Sequence, residues 1–359
     1  MYNIGIILSN ITNRAGTERA VTNLANILNS QGDKIYIFSI ASEAGNCPYE
    51  LNTNVEIVHM NLPFSKSTVY FAIKHYFNIY KKLKEEINNK NIDFVIGTHH
   101  FINFTISFLR KRVKTIGCEH FNYESAGNFA NLLKKVFYRK LDRVVLLTER
   151  DMKNYYFLNN TTTIPNSLSF VPNKLSNCKN KKMVSLGRLT EQKGYDLLID
   201  AVSLIKGKIS DWKIEIYGNG EDKEKLLKKI QCEELESVIE IKEPSNDVEA
   251  IYSSASIYLS SSRWEGFSLV LLEAQSCGLP CITFDCSSGP GEIIINNITG
   301  FVVDFLDIKA FSEKILELVN NENKRIEFGK NATTEAYRYS TENISLRWKN
   351  LIENLLESK

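Results

Sequence analysis

Hydrophobic positions along the chain follow two alternating patterns. Short continuous apolar runs, such as residues 3–8, have the length and composition of buried strands. In other segments, such as 17–30, apolar residues recur at the helical repeat and place one apolar face on a helix. Because the two patterns alternate from one end of the chain to the other, they predict an α/β protein built on buried sheets.

These patterns assign most of the chain to strands or helices. The apolar runs predict strands at 3–8, 34–40, 55–60, 93–97, 114–118, 142–147, 182–186, 212–217, 238–241, 256–259 and 281–284. The helical repeat predicts helices at 17–30, 69–89, 128–140, 149–158, 195–205, 269–277, 307–319, 322–337 and 342–356, with a further short helix opened by residues 288–292.

The strand, loop and helix pattern starts afresh in the second half, which indicates two domains. A chain of 359 residues is long enough for both. Residues 167–180 are rich in Asn, Ser and Pro, a composition typical of linkers. We therefore expect an N-terminal domain at 1–166 and a C-terminal domain at 181–341. A last helix follows, with its apolar residues on one stripe.

Residues 262–274 carry the most informative chemistry. A buried strand precedes them, and a helix begins near Leu269, with Ser268 as its predicted N-cap. Glu265 lies in the turn and Glu273 in the second helical turn. First-turn amides can hold phosphate, and carboxylates can accept hydrogen bonds from sugar hydroxyls, so the stretch fits a nucleotide diphosphate sugar. The competing interpretation is two solvated glutamates at a common spacing.

Other strand ends add cations and histidines. Residues 187–194 form a loop with Arg188 and Lys193, which suit a diphosphate because Arg can fork two oxygens and Lys adds a point charge. Two exposed loop cations are the alternative. His99 and His100 follow one predicted strand and His120 another, so we expect them at the same sheet edge. They are candidates for ligand contact or for structural roles.

Three motifs resemble those of the retaining glycosyltransferases of family 4. They are Glu-Gly-Phe-Ser-Leu-Val-Leu-Leu-Glu-Ala from Glu265, Gly-Arg-Leu-Thr-Glu-Gln-Lys-Gly from Gly187, and the partial match Gly-Thr-Glu-Arg from Gly16. The resemblance implies that Glu265 and His120 face the donor sugar as catalytic residues and that Glu273 binds ribose. It implies that the other donor-binding residues are Gly16, Arg188, Lys193, Gly266, Phe267, Ser268 and Leu269.

The same resemblance implies a GT-B fold, two Rossmann-like domains facing across a cleft, with the last helix, about 342–359, completing the first domain. The implied reaction moves a hexose or N-acetylhexosamine from a nucleotide diphosphate sugar, expected to be a UDP-sugar, to a glycan or lipid-pyrophosphate-linked glycan. We expect this in bacterial surface polysaccharide biosynthesis, with retention of configuration. No Asp-x-Asp motif occurs, so no metal or other cofactor is expected.

Three other functions fit parts of the sequence. A sugar-nucleotide epimerase would share the fold and nucleotide contacts but would act without an acceptor. A nicotinamide oxidoreductase fits the α/β pattern, but the chain lacks the G-x-G-x-x-G fingerprint. A non-catalytic glycan-binding protein would have little use for a diphosphate clamp. Release of nucleotide with and without acceptor distinguishes these functions.

Charge and cysteine content bear on partners and location. The net charge is +2, which gives no reason to expect nucleic acid as a partner. Residues 1–170 hold 20 Lys and Arg against 13 Asp and Glu, with basic clusters at 110–114 and 134–143. These clusters fit either contact with an anionic membrane or an ordinary solvated face. Seven scattered cysteines and the lack of a signal peptide or membrane span predict a cytoplasmic protein, at the inner membrane face if the contact exists.

Overall fold

The computed structural model describes residues 1–41, 44–62, 69–287 and 289–357, with residues 69–73 and 125 described through their backbone alone. Contacts divide the chain into two compact units. Unit 1 comprises 1–169 and 341–359, and unit 2 comprises 170–340. Each unit is an α/β domain with its own parallel sheet, as the hydrophobic pattern predicts.

The strands and helices are numbered in chain order. The strands are β1 Asn3–Leu8, β2 Lys34–Ser39, β3 Val55–His59, β4 Phe94–Gly97, β5 Lys114–Glu119, β6 Arg143–Leu146, β7 Thr161–Thr163, β8 Lys182–Leu186, β9 Lys213–Tyr217, β10 Ile239–Lys242, β11 Ile257–Ser260, β12 Cys281–Phe284 and β13 Gly300–Val303. The helices are α1 Gly16–Ser30, α2 Val69–Asn89, α3 His100–Ile106, α4 Gly127–Phe137, α5 Glu149–Met152, α6 Tyr195–Ser203, α7 Lys223–Cys232, α8 Val248–Ser254, α9 Leu269–Ser276, α10 Pro290–Ile293, α11 Ile308–Val319, α12 Glu322–Ala336 and α13 Thr341–Glu357.

The two sheets share one plan. Unit 1 has the order β3-β2-β1-β4-β5-β6-β7 and unit 2 the order β10-β9-β8-β11-β12-β13, and the paired strands run parallel. In each sheet the first strand of the unit lies in the interior, and the chain later continues on its other side. This reversal of strand order creates a switch point, beside β1 in unit 1 and beside β8 in unit 2. Open α/β sheets bind ligands outside the carboxyl ends of the strands at such points.

The C-terminal helix α13 belongs to unit 1. Its apolar stripe, including Ile344, Trp348 and Leu355, is buried. Helix α13 packs against α1, and Gln31 Nε2 at the end of α1 donates to Ser345 O at 2.8 Å. Buried apolar surface and hydrogen bonds therefore hold the last helix on the unit that begins the chain.

Several elements differ from the sequence predictions. Helix α3, which begins at His100, was not predicted, and the predicted helix 149–158 is only α5 followed by a 3₁₀ turn at Lys153–Tyr155. The pattern missed elements that bury few apolar residues or contain few residues: β7, β13, α7 and α8. The short helix expected to open at 288–292 is α10, and Ser288 itself lies outside the described residues.

The predicted basic cluster at 134–143 is only partly exposed to solvent. Lys134, counted in the predicted cluster at 134–143, has no solvent exposure. Its Nζ lies 2.9 Å from Glu119 Oε2 and donates to Tyr155 Oη at 3.0 Å. Tyr138 Oη also donates to Glu119. A buried ammonium is tolerated only when it is paired and hydrogen-bonded, so this contact fixes how α4 is rotated on the domain.

The carboxyl of Glu119 is stabilised as an anion by these partners. Burial alone would raise the pKa of Glu119, but the Lys134 cation and the hydrogen bonds from Tyr138 and Lys134 outweigh it, so the pKa lies below its usual range. A carboxyl whose pKa is lower in the folded state stabilises the fold at neutral pH. That stabilisation is lost as the pH falls through the folded-state pKa.

We expect Lys134→Met to destabilise unit 1 by about 3–5 kcal/mol, because the substitution leaves a buried carboxylate without its cation. The neighbouring Lys135 is exposed, so Lys135→Met should change stability by no more than about 0.5 kcal/mol. Urea denaturation followed by circular dichroism measures both. Equal stabilities of the two variants would show that the ion pair does not hold α4 in place.

Candidate functional site

The switch point of unit 2 brings two loops together. β8 pairs with β9 on one side and β11 on the other, and the chain leaves their carboxyl ends as residues 187–194 and 261–268. These are the two stretches in which the sequence places the candidate cations and Glu265.

Backbone contacts bring these loops as close as glycine allows. Gly194 has φ +61°, and a Cβ there would lie 2.2 Å from Ser261 O. A Cβ on Gly218, in the turn after β9, would lie 1.9 Å from Gly187 O. Neither distance is possible for a side chain, so both positions require glycine. The first loop is thereby packed between β11 and the turn after β9.

Hydrogen bonds also hold the loops 187–194 and 261–268 together. Arg263 N donates to Gln192 O at 2.8 Å, and Gln192 Nε2 donates to Trp264 O at 3.1 Å. The Arg263 guanidinium donates to both carboxylate oxygens of Asp196, at 2.8 and 2.7 Å. These bonds lower the pKa of Asp196. The forked pair therefore stays charged and fixes the start of α6 to the turn after β11.

Lys193 and Glu265 meet where the loops join. Lys193 Nζ lies 2.6 Å from Glu265 Oε1, and Ser262 Oγ donates to the same oxygen at 2.7 Å. Glu265 is 6% exposed. A carboxylate so deeply buried needs compensating charge and hydrogen bonds, and Lys193 and Ser262 supply both. Sequence reasoning missed Ser262, although its position three residues before a carboxylate in a turn was a usable signal.

Arg188 contributes a second cation on the same loop. It is exposed, and its guanidinium donates to Gln192 Oε1 at 3.1 Å. Because this partner is a neutral amide, it does not neutralise the charge of the guanidinium. Buried hydroxyl oxygens of Thr190 and Ser268, by contrast, have no hydrogen-bond partner in the described part of the protein. Buried polar atoms are usually satisfied, so these hydroxyls are candidates to bond a bound ligand or water.

Helix α9 starts at Leu269 as predicted, but Ser268 does not cap it with its side chain. The hydrogen bonds of the helix begin where Leu272 N donates to Ser268 O at 3.1 Å, so the amides before it have no acceptor within the helix.

The turn before α9 is tightly packed. A Cβ on Gly289 would lie 2.6 Å from Gly266 O, and the ring of Phe267 lies 5.6 Å from that of Tyr339. The side chain of Phe267 is therefore packed inside unit 2.

Glu273 has no solvent exposure on α9. Tyr252 Oη, on α8, donates to its Oε2 at 3.4 Å and to Val270 O at 3.2 Å. Tyr252 is a second partner that sequence reasoning missed, because α8 was not predicted. The structure thus places both candidate carboxylates in the interior beside the start of α9, and each accepts a hydrogen bond from a hydroxyl.

In unit 1, His120 lies directly after β5 and is half-buried. Its Nε2 is buried and has no partner among the described residues. It borders a small cavity, about 20 Å³, whose wall also includes Ala20, Trp348 and Ser167. Burial lowers the pKa of His120 to about 4 despite the opposing effect of Glu119, so the ring is neutral at pH 7. Gly16 begins α1 in the same unit, and a Cβ added there would meet no atom within 4 Å.

His99 and His100 lie at the neighbouring strand end. Their ring centroids are 3.9 Å apart, and the His99 ring lies 5.5 Å from that of Phe121, which follows His120. His99 Nδ1 accepts from Phe101 N at 3.4 Å and caps α3. Burial lowers the pKa of both histidines, that of His100 to about 4. The ends of β4 and β5 are adjacent as expected, and His99 has a structural role there.

Two further properties concern the described residues as a whole. No cluster of three or more His, Cys, Asp or Glu side chains in them has the arrangement of a metal site. None of the helices described combines the length and the apolar composition needed to cross a bilayer.

Both units match models of glycosyltransferase families. The model described as "Glycosyltransferase Family 4" matches residues 14–167, and the one described as "Glycosyl transferases group 1" matches residues 170–335. With the paired parallel-sheet units, these matches define a glycosyltransferase of the GT-B fold. The chain belongs to the glycosyltransferases.

Two relatives and one solved structure align with almost the whole chain. An uncharacterized glycosyltransferase of Haemophilus influenzae is 31% identical over 98% of this chain and 100% of its own length. The amylovoran biosynthesis glycosyltransferase AmsD of Erwinia amylovora is 29% identical over the same shares of the two chains. A crystal structure of a mutant TarM from S. aureus with fondaparinux, alpha-GlcNAc-glycerol and UDP superposes with a TM-score of 0.78, at 18% identity, over 98% of this chain and 99% of that one.

We expect Gly218→Ala to destabilise unit 2 by roughly 1–3 kcal/mol. The added methyl overlaps Gly187 O and must push the loop 187–194 away. Gly207 is the matched control, since a Cβ there meets nothing within 4 Å. Gly207→Ala should therefore melt like the wild type. Thermal denaturation checks both, and equal melting of the two variants would mean that the loop is not held by this contact.

Proposed function

We propose that this glycosyltransferase moves a hexose or N-acetylhexosamine from a UDP-sugar to a glycan or lipid-linked glycan, with retention of configuration and without a metal, as a family 4 enzyme. The observation that carries the proposal is the pairing of Lys193 with buried Glu265 at the switch point of unit 2, in a loop that also carries the exposed Arg188. A nucleotide diphosphate sugar presents negative phosphates and a sugar with hydroxyls, and this arrangement has a partner for each part.

The reaction breaks the bond between the anomeric carbon and a diphosphate oxygen. Negative charge then grows on the diphosphate, where Arg188, Lys193 and the first-turn amides of α9 would stabilise it. Positive charge grows on the anomeric carbon, where the carboxylate of Glu265 would stabilise it. The acceptor hydroxyl forms the new bond on the same face of the sugar, and its proton passes to the leaving phosphate oxygen. No charge in this scheme requires a metal ion.

The remaining residues bind the donor in this proposal. Glu273 accepts hydrogen bonds from ribose hydroxyls, while the backbone of 266–269 and Gly16 approach the donor closely. His120, neutral at pH 7, hydrogen-bonds a donor-sugar hydroxyl through its buried Nε2. Two relatives support the substrate classes: AmsD by its part in amylovoran biosynthesis, and TarM by its complex with UDP and a GlcNAc-containing glycoside.

The direct test measures UDP release from UDP-sugars with and without a panel of glycan acceptors. We expect release to depend on acceptor and to continue in EDTA, because protein cations neutralise the diphosphate. Conversion of the UDP-sugar without acceptor and without UDP release would instead identify an epimerase. Binding without any turnover would identify a glycan-binding protein. Activity lost in EDTA and restored by manganese would refute metal independence.

The two carboxylates should respond differently to substitution. Glu273→Gln should weaken UDP binding by about 1.5–3 kcal/mol and raise the donor KM, since ribose is bound equally before and during reaction. Glu265→Gln should lower kcat by roughly 10²-fold or more, because its charge acts on the transition state. Its UDP affinity should stay near wild type, since UDP lacks the transferred sugar that Glu265 faces and Lys193 remains. Calorimetric UDP titration and steady-state kinetics measure these effects.

Glu313→Gln provides the control for this pair, because Glu313 is exposed on α11 and should affect neither quantity. If Glu265→Gln loses as much UDP affinity as Glu273→Gln, the assigned roles are wrong. If neither variant changes binding or rate, the carboxylates have no part in the site.

A further inference from the structure

Helix α4 presents its apolar side chains to solvent. Phe129, Leu132 and Val136, which we call the outer face of α4, are 72%, 59% and 52% exposed. Their spacing places them on one side of the helix. A surface helix normally turns such a stripe toward the core, so this orientation indicates a surface that something else covers.

The core contact of α4 explains why the helix does not rotate. Lys134 projects from the opposite side and is fully buried against Glu119 and Tyr155. Turning the outer face inward would pull this ammonium away from its carboxylate and leave Glu119 buried without a cation. The buried ion pair therefore holds three large apolar side chains in solvent.

Neighbouring aromatic residues extend the apolar surface. Phe108, just beyond α3, is 57% exposed, and its ring lies 5.4 Å from that of Phe137 at the end of α4. Lys140 Nζ lies 5.4 Å from the Phe108 ring centroid and 5.1 Å from that of Phe137. The apolar side chains and the cations thus share one region of unit 1.

The charges around the outer face are mainly positive, although Arg110 Nε lies 4.0 Å from Asp142 Oδ1 and exposed Glu124 precedes α4. Residues 108–114 and 127–141 contain no Asp or Glu. Their exposed cations are Arg110, Lys111, Arg112, Lys135, Arg139 and Lys140. An apolar stripe flanked by exposed Lys and Arg is the composition that interfacial helices use on anionic bilayers.

We propose that the outer face of α4, with Phe108 and the surrounding cations, docks on an anionic lipid bilayer. The apolar side chains enter the boundary between headgroups and acyl chains, and the cations contact the lipid phosphates. A second copy of this chain is a poorer partner, because pairing the surface with itself would bring its cations together. The inference rests on unit 1 alone and is independent of the proposed donor chemistry.

Vesicle flotation of the full chain tests the proposal. We expect it to bind vesicles of phosphatidylcholine mixed with phosphatidylglycerol and to bind pure phosphatidylcholine much more weakly. Leu132→Ser/Val136→Ser should reduce partitioning at least about tenfold, since two large apolar side chains no longer leave water. Lys135→Gln/Arg139→Gln/Lys140→Gln should reduce it about fivefold for each cation removed. Added salt should weaken the wild type and change the triple variant less.

Matched controls in unit 2 separate docking from general stickiness. Leu204→Ser removes an apolar side chain that is 61% exposed, and Lys309→Gln removes an exposed cation. Both should float like the wild type, and circular dichroism should show every variant folded. UDP titration of the α4 variants tests the donor site separately. Lost flotation with unchanged UDP affinity would distinguish membrane docking from the proposed donor binding.

Three results would overturn the proposal. The first is equal binding of the wild type to neutral and anionic vesicles, and the second is flotation unaffected by the α4 substitutions. The third is a lipid-free dimer, seen by sedimentation equilibrium, that Leu132→Ser/Val136→Ser dissociates without affecting flotation. That result would assign the outer face to a second copy.

Discussion

The close approach of two backbone loops at the switch point of unit 2 is the constraint on which the candidate site depends. Gly194 leaves no room for a side chain against Ser261 O, and that contact sets the distance from which Lys193 reaches Glu265. The order of the parallel sheet makes the contact possible, because β8 and β11 are neighbours although far apart in sequence. The order of the strands and the glycine at the point of contact therefore together determine where the charged side chains lie.

Two buried Lys–Glu pairs in this chain have different consequences. Lys134 and Glu119 are enclosed by Tyr138 and Tyr155, so their effect is to fix a helix. The Lys193 side chain is 15% exposed and lies in the same loop as the exposed Arg188. A charged ligand could reach this second pair without unfolding anything. The same ion-pair chemistry thus serves orientation in one unit and a candidate site in the other.

The sequence predicted what depends on local pattern. Continuous apolar runs located most strands, and the motifs around Glu265 and Lys193 fell on neighbouring strand ends. The environment of Lys134 could not be foreseen, because a basic residue on a helix is solvated in most proteins and its partner Glu119 is distant in sequence. Tyr252 was missed for a related reason: α8 is short, and its contact with Glu273 exists only after the sheet has formed.

Charge balance links the structure to the proposed reaction. Glu265 is buried, and in this structure Lys193 and Ser262 compensate it. In the proposed reaction the leaving diphosphate draws on Lys193, while the anomeric carbon becomes positive near the same carboxylate. Glu265 would then exchange part of its contact with one cation for a contact with another. A buried carboxylate tolerates such an exchange better than the loss of its partner, because its negative charge is compensated throughout. The need to keep the charge of Glu265 compensated is a physical reason for its place beside the loop 187–194. Glu273, which has no such part in the proposed reaction, lies on helix α9.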